Sequence, residues 1–214
     1  MFDVDGTLVD SQAHILAAMA QAFEGLGLAS PDRAAVLDIV GLSLPQAVAR
    51  LVPTLGVAER ERLVAGYKDA YSGRRAQTLS PLYPGAQEML EELARDDTVL
   101  LGIATGKSRR GLVHLIAAHG WEGRFVTIQV ADDHPSKPHP SMLLACLRET
   151  GVAADCAVMV GDTVYDMEMA RAAGIHGLGV GWGYHDAERL GARVIHDFGA
   201  LPAALAGLWN EGTA

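Results

Sequence analysis

The pattern of hydrophobic and polar positions divides the chain into a helical segment and a later segment in which strands and helices alternate. From residue 11 to 79, apolar residues recur at the spacing of amphipathic helices, with no convincing strand pattern. Ser11 predicts the start of the first helix, and Ser30 with Pro31 predicts the start of the second. After residue 80, β-branched runs such as "TVLLGIAT" and "CAVMVGD" alternate with helical patterns. Such alternation predicts βαβ units and a parallel sheet covered by helices on both faces.

The opening run "MFDV" has the character of one more strand of that sheet, which makes the helical segment an insertion. We therefore predict an α/β core formed by residues 1–10 and 80–214, with an all-α insertion formed by residues 11–79. Only two residues precede Asp3, which is short for a strand, so we expect the natural chain to begin further upstream.

Composition and charge limit the classes of partner. Half of the residues are hydrophobic and the formal net charge is −9, which favours a large buried core and disfavours a nucleic-acid backbone as partner. No apolar run is long enough to span a membrane, and no signal peptide precedes the first motif. Cys146 and Cys156 lie in apolar surroundings, and we expect them to be reduced thiols of a cytoplasmic protein. No feature of the sequence predicts an oligomeric state.

Polar residues follow the predicted strands at the points where each strand ends. In open parallel sheets, ligands bind beyond the carboxyl ends of the strands, so these residues are expected to share one edge. They comprise Asp3 and Asp5 after the first strand, Thr105 after "VLLGIA", Lys137 in the turn "SKPHP", and Asp162 and Asp166 in "GDTVYD".

Asp3 and Asp5 are costly to bring together, because two like charges at close range disfavour each other's ionisation. Side chains two residues apart lie on the same side of a strand, so both carboxylates can address one site. A divalent cation would relieve the repulsion, and Asp162 is placed to supply an opposing carboxylate. Mg²⁺ suits such a site because it binds a few carboxylate oxygens and keeps several waters.

Taken together, "DVDGT", Thr105, Lys137 in "SKPHP" and "GDTVYD" resemble the four ordered motifs of the haloacid dehalogenase-like hydrolase superfamily. Within it, the chain is most similar to the phosphoglycolate phosphatase-type branch. The resemblance spans nearly the whole chain and implies a Rossmann-like parallel sheet core. The helical insertion resembles the all-α cap domain of that family.

The resemblance also implies a Mg²⁺-dependent phosphatase that hydrolyses a small phosphorylated metabolite, 2-phosphoglycolate being one candidate. Asp3 would attack the phosphoryl group and form an aspartyl-phosphate, and Asp5 would act as general acid and then general base. Thr105 and Lys137 would bind the phosphoryl oxygens. Asp5 favours a phosphatase over a dehalogenase, because an alkoxide leaving group needs a proton.

In the same family pattern, Mg²⁺ is held by Asp3, the backbone carbonyl of Asp5 and Asp162. Asp166 is expected to support the site by orienting Lys137 or a metal-bound water. Gly106 follows Thr105 where phosphoglycolate-type relatives often carry asparagine, which leaves the substrate open.

Two other functions remain open. A sugar-phosphate mutase of the same superfamily uses the same aspartates and metal, but typically carries histidine twelve residues after the nucleophile, where this chain has Ile15. A non-catalytic phospho-aspartate switch module has a similar set of residues in another order. Such a module phosphorylates an aspartate on a later strand, and it lacks the helical insertion.

Substrate selectivity is expected to come from the insertion. The stretch "GLSLPQA", residues 41–47, is a candidate loop for contact with the leaving group. Two basic clusters are candidates for binding an anionic group: Arg74 with Arg75, and Lys107 with Arg109 and Arg110. Cations are not favoured by the helix dipole at the start of a helix, where the second cluster lies.

Overall fold

The structure, a computed structural model, describes residues 1–211, so the last residues of the predicted core, 212–214, lie outside the described part. Its first helices are α1 (Gln12–Glu24), α2 (Arg33–Asp38), α3 (Leu44–Leu51) and α4 (Val57–Gln77). No strand lies between residues 12 and 77, all of which are described. These four helices are called the cap segment below.

The cap segment has a hydrophobic cluster of its own. Ile15, Met19, Val48 and Leu63 are buried in it, with Leu63 fully inaccessible to solvent. The apolar faces of α1 and α4 therefore have a core to pack on within the segment. The expected domain boundaries near residues 10 and 80 stay a prediction.

The starts of two helices differ from the sequence-based expectation. The second helix begins at Arg33 rather than Pro31, because the Asp32 side chain accepts hydrogen bonds from the amides of Ala34 and Ala35 and so acts as the N-cap. Ser11 precedes α1 as predicted, but its side chain makes no capping bond. Its hydroxyl instead donates to Asp5.

The second part of the chain alternates helices and strands, as predicted. In order these are α5 (Ala86–Leu93), β1 (Gly102–Thr105), α6 (Arg109–His119), β2 (Thr127–Val130), α7 (Ser141–Thr150), β3 (Val158–Gly161), α8 (Val164–Ala173), β4 (His176–Val180), α9 (Ala187–Leu190), β5 (Arg193–Ile195) and α10 (Leu201–Glu211). The sequence did not predict α9 and α10. None of the helices within residues 1–211 is both long and apolar enough to cross a lipid bilayer.

The opening residues join two groups of parallel strands into one sheet. Strand β1 pairs with β2, and β4 pairs with both β3 and β5, all in parallel. Phe2 lies between the two groups and bridges Ile103 of β1 and Val160 of β3. The order is therefore β2-β1-opening residues-β3-β4-β5, and Asp3 follows the central position. The predicted α/β fold class is confirmed.

Successive residues of the central strands face opposite sides of the sheet. Ile103 and Val160 pack in one buried cluster with Phe2, whereas Ala104 and Met159 pack in a second one with residues of α7 and α8. Because both faces are covered, β3 and the interior positions of β1 carry no polar side chain, as expected for a central parallel strand. The polar side chains of the candidate site lie at or beyond the ends of these strands.

We expect Leu63→Ala to destabilise the protein by about 2–5 kcal/mol, because it opens a cavity in the cluster of the cap segment. Leu144→Ala in α7 is the matched control, since Leu144 is 39% exposed and its truncation removes little buried surface. Urea unfolding of both variants measures the difference. An equal loss of unfolding free energy in the two variants would contradict the burial of Leu63 in the cluster of the cap segment.

Candidate active site

The fold brings the predicted site residues together at the carboxyl edge of the sheet. Asp3 follows the central bridge at Phe2, Thr105 ends β1, and Asp162 directly follows β3. Asp166 lies in the first turn of α8, and Lys137 lies between β2 and α7. All five side chains are buried. Their shared edge is the one that the order of the strands predicts.

Lys137 is held between two carboxylates. Its Nζ lies 3.0 Å from Oδ2 of Asp3 and 2.6 Å from Oδ1 of Asp166. Burial alone would lower the pKa of Lys137, but Asp166 and Asp3 outweigh burial and hold that pKa above its ordinary value. The lysine is therefore a fixed positive charge at neutral pH.

Asp166 and Asp162 are both oriented by neighbouring donors. The backbone amide and hydroxyl of Thr163 donate to Oδ2 of Asp166, so Oδ1 faces Lys137. Asp162 accepts from the Thr7 hydroxyl at 3.0 Å and from the backbone amide of Tyr184 at 2.9 Å. The geometry of Asp166 agrees with the expected role of orienting Lys137.

Asp3 has fewer donors. The ammonium of Lys137 lies 3.0 Å from its Oδ2, whereas no residue that the structure describes donates a hydrogen bond to its buried Oδ1. Burial raises the pKa of Asp3 to about 6 despite the nearby Lys137. Burial also raises the pKa of Asp162 well above its usual range, and the charge of Asp166 adds to that effect.

The three buried carboxylates fit a divalent cation. Oxygen atoms of Asp3, Asp162 and Asp166 lie within 4.8 Å of one another, and the charge of Lys137 balances only one of the three. The unpartnered Oδ1 of Asp3 is an oxygen of the kind that Mg²⁺ binds. Both oxygens of Asp162 and of Asp166 already accept hydrogen bonds, so Asp3 is the side chain with an oxygen still available to a metal.

Asp5 lies beside this cluster and has different partners. Nζ of Lys107 lies 2.7 Å from each of its carboxylate oxygens, and the Ser11 hydroxyl donates to Oδ1 at 2.6 Å. Lys107 also donates to the Tyr71 hydroxyl on α4 at 3.3 Å, so the Asp5 ion pair touches the cap segment. Burial alone would lower the pKa of Lys107, but the Asp5 carboxylate raises it above the ordinary value.

The sequence predicts Lys107 only as a candidate anion binder and does not indicate its pairing with Asp5. The available signal was its position two residues after Thr105, at the same strand end as the expected phosphoryl site. That position alone does not show which way a long side chain turns.

Gly106 lies where the cap segment meets the sheet. A Cβ atom at this position would lie 2.4 Å from the carbonyl oxygen of Gly41 and 2.8 Å from that of Leu42. The same loop is held by the Ser43 amide, which donates to the Ser136 hydroxyl at 2.8 Å. The absence of a side chain at residue 106 therefore lets residues 41–43 lie directly over the site, whereas residues 44–47 of the predicted loop form the first turn of α3.

A cavity of about 500 Å³ separates the loop from the carboxylates. Asp3, Asp5 and Thr105 lie on its sheet side, and apolar residues of the cap segment such as Met19 and Ile39 lie opposite. Most of the predicted loop 41–47 also contributes to the lining: Gly41, Leu42, Ser43, Leu44, Pro45 and Ala47. A small molecule in this cavity would contact both the sheet edge and the cap segment.

Comparisons with known proteins identify the family. The family model for haloacid dehalogenase-like hydrolases matches residues 1–180. A protein of Dickeya dadantii named "Probable phosphatase IndB" is 34% identical, in an alignment that covers 90% of this chain and 84% of that protein. A phosphoglycolate phosphatase of Mesorhizobium japonicum is 33% identical, with 96% of this chain and 93% of that protein covered.

The crystal structure of a hydrolase from Pseudomonas syringae has a TM-score of 0.84 at 28% identity, with 96% of each chain covered. The chain therefore belongs to the haloacid dehalogenase-like hydrolase family. The predicted branch and enzyme class, a phosphoglycolate phosphatase-type phosphoric monoester hydrolase, are confirmed at the level of the family.

The raised pKa of Asp3 predicts a pH-dependent stability. Folding raises this pKa from 3.8 to about 6. Between pH 4 and 6, Asp3 is therefore protonated in the metal-free folded state and ionised in the unfolded state. We therefore expect wild type to lose stability relative to Asp3→Asn as pH rises from 4 to 6. Thermal unfolding of both proteins in chelator measures the difference, and a difference independent of pH would contradict the assignment.

In the same assay at pH 7.5, Mg²⁺ is expected to raise the unfolding temperature of wild type, because a ligand that binds only the folded state stabilises it. The shift should be lost in Asp3→Asn and in Asp162→Asn. A full shift in both variants would place the metal elsewhere.

We expect Gly106→Ala to lower kcat/KM by about tenfold to a hundredfold, because the new Cβ displaces the loop at Gly41 from the site. Gly73→Ala in α4 is the control, since a Cβ there meets nothing within 4 Å. Steady-state hydrolysis and thermal unfolding of both variants are measured together. Unchanged kinetics in a folded Gly106→Ala protein would show that the loop does not cover the bound substrate.

Proposed function

We propose that the protein is a Mg²⁺-dependent phosphatase that hydrolyses the phosphate monoester of a small organic alcohol through an aspartyl-phosphate on Asp3. The observation that carries the proposal is the buried Asp3 carboxylate, whose Oδ2 is paired with Lys137 while its Oδ1 has no hydrogen-bond partner among the residues that the structure describes. A carboxylate used only for structure would have its oxygens satisfied. Asp3 instead has an oxygen available for attack on phosphorus.

In the first step, an oxygen of Asp3 forms a bond to phosphorus as the ester P–O bond breaks. The departing alkoxide takes a proton from the carboxyl group of Asp5, which lines the same cavity. In the second step, the Asp5 carboxylate removes a proton from a water molecule that attacks the aspartyl-phosphate. Inorganic phosphate leaves and Asp3 is regenerated.

Lys137 and the Thr105 hydroxyl would bind the phosphoryl oxygens: Thr105 lines the cavity, and Asp166 keeps the lysine ammonium in position beside Asp3. The metal would be held by Asp3, Asp162 and the backbone carbonyl of Asp5. When bound, Mg²⁺ shields the negative charge between the nucleophile and the phosphate. Most of the catalytic effect then comes from positioning and charge.

2-Phosphoglycolate is the first substrate to test, because relatives such as the Mesorhizobium japonicum protein carry that activity in their name. We place the enzyme in the cytoplasm. Cys146 and Cys156 support this location, since both are free thiols, as expected in a reducing compartment.

The mutase alternative has less support from the site. Position 15 is isoleucine, and the neighbouring His14 forms a hydrogen bond with Ser80 at 2.8 Å instead of lining the cavity. The switch-module alternative does not account for the cavity, because such a module has no need to enclose a small molecule beside its aspartate. Hydrolysis fits both observations.

We expect Asp3→Asn to abolish phosphate release and to leave the fold intact, since the amide is nearly isosteric with the carboxylate but is a poor nucleophile. Phosphate release is measured with 2-phosphoglycolate, sugar phosphates, nucleoside monophosphates and pyrophosphate, each with Mg²⁺ and with chelator. Wild type should release phosphate only with metal. A folded Asp3→Asn protein that keeps most of the activity would overturn the mechanism.

A further inference from the structure

Three cations of the cavity lining have no counter-charge. Lys68 and Arg75 lie on α4 of the cap segment, and Arg110 lies in the first turn of α6, across the cavity. None of them forms an ion pair or hydrogen bond with a residue that the structure describes. This differs from Lys107 in the same cavity, which is fully engaged by Asp5 and Tyr71.

The sequence neighbours of these arginines behave differently. Arg74 hydrogen-bonds to Gln21, and Arg109 forms an ion pair with Asp133. Neither of the two lines the cavity. In each pair of adjacent arginines, therefore, the one with a protein partner lies away from the cavity, and the one without a partner lines it.

The charges of the lining favour an anionic ligand, although Lys68 and Arg110 are exposed to solvent and Arg75 is half-buried. Arg110 lies at the N-terminal end of α6, where the helix dipole disfavours a positive charge. The acidic residues of the lining are already engaged or belong to the reaction centre: Asp5 pairs with Lys107, Asp132 accepts from the Arg109 amide, and Asp3 faces Lys137. The side of the cavity away from Asp3 is thus positive in a chain whose net charge is −9.

Apart from the cations, the wall combines apolar and hydroxyl side chains. On the cap side, apolar residues such as Val36 and Leu44 alternate with hydroxyl groups such as those of Tyr71 and Ser72. A leaving group that enters the cavity exchanges its hydrogen bonds to water for bonds to these groups. A leaving group that ends in an anion would also gain bonds from arginine, whose planar fork binds carboxylate or phosphate in two places.

We propose that Lys68, Arg75 and Arg110 form an anion subsite that binds a second negatively charged group, carboxylate or phosphate, on the leaving group of the substrate. The inference rests on the proposed function, because it assigns the other end of the same substrate to these residues. The enzyme then selects phosphate monoesters with two anionic ends. The subsite also joins the cap segment to the sheet edge through the bound substrate.

Two matched substrate pairs test the selection. 2-Phosphoglycolate is compared with 2-hydroxyethyl phosphate, and 3-phosphoglycerate with glycerol 3-phosphate; each pair differs by a carboxylate against a neutral hydroxymethyl group. Ethylene glycol bisphosphate adds a second phosphate in place of the carboxylate. We expect a higher kcat/KM for the anionic member of at least one pair, and the bisphosphate shows whether carboxylate or phosphate is preferred.

The variants Arg75→Gln and Arg110→Gln are each expected to lower kcat/KM about tenfold or more for the preferred substrate with two anionic ends. The loss should arise mainly through KM, since each variant removes a charge-assisted hydrogen bond. Hydrolysis of the matched ester that carries a hydroxymethyl group instead should change less than about twofold. The controls Arg74→Gln and Arg109→Gln should leave both substrates unchanged. Equal losses on both members of a pair, or no loss at all, would overturn the subsite.

A binding measurement separates this inference from the proposed function. Calorimetry compares two non-hydrolysable ligands in wild type and the same variants: 3-phosphonopropionate, which has a carboxylate at its far end, and 3-hydroxypropylphosphonate, which has a hydroxymethyl group there. Tighter binding of the first ligand that depends on Arg75 or Arg110 supports the subsite even if no ester is hydrolysed, whereas equal affinities reject it. Absence of hydrolysis with all five esters in Mg²⁺ would reject the phosphatase proposal alone.

Discussion

The ammonium of Lys137 pairs with two of three clustered, buried carboxylates, and the other features of the site are arranged around this imbalance of charge. It lies 2.6 Å from Asp166 and 3.0 Å from Asp3, and Asp162 belongs to the same cluster. One positive charge neutralises one carboxylate, so two negative charges remain in a region from which water is excluded. Burying unpaired charge is costly, and a divalent cation removes the cost. Burial raises the pKa of Asp3 and Asp162, and the nearby charge of Asp166 raises both further.

Two glycines leave space for this cluster. A Cβ at Gly183 would lie 2.1 Å from Cβ of Asp162, and one at Gly161 would lie 2.4 Å from Cγ of Asp166. The carboxylates thus pack directly against neighbouring main chain, where no side chain can displace them. Tight packing of this kind holds charged groups in place against their repulsion. The glycines are accordingly part of the site, although they carry no chemistry of their own.

Local patterns in the sequence were enough to predict the alternating elements and the strand-end residues, since both follow from periodicity and from the shared edge of a parallel sheet. These patterns were not enough where two residues could both cap a helix, or where the direction of a side chain decides its partner. Asp32 replaced Ser30 as a helix cap because its side chain reaches two backbone amides. The pairing of Lys107 with Asp5 joins residues 102 positions apart. No local pattern encodes such a contact.

The adjacent arginines show the same limit most clearly. Consecutive residues on an α-helix point about 100° apart, so Arg74 and Arg75 face different surroundings despite equal chemistry. Only the packing of α4 on α1 decides that Arg74 meets Gln21 while Arg75 lines the cavity. The carboxylate cluster thus lies at strand ends that the sequence pattern predicts, whereas the proposed recognition of the leaving group depends on which way the residues of α4 face. Selectivity for the leaving group can therefore change when α4 turns other residues towards the cavity, or when those residues are replaced, while the carboxylate cluster stays unchanged.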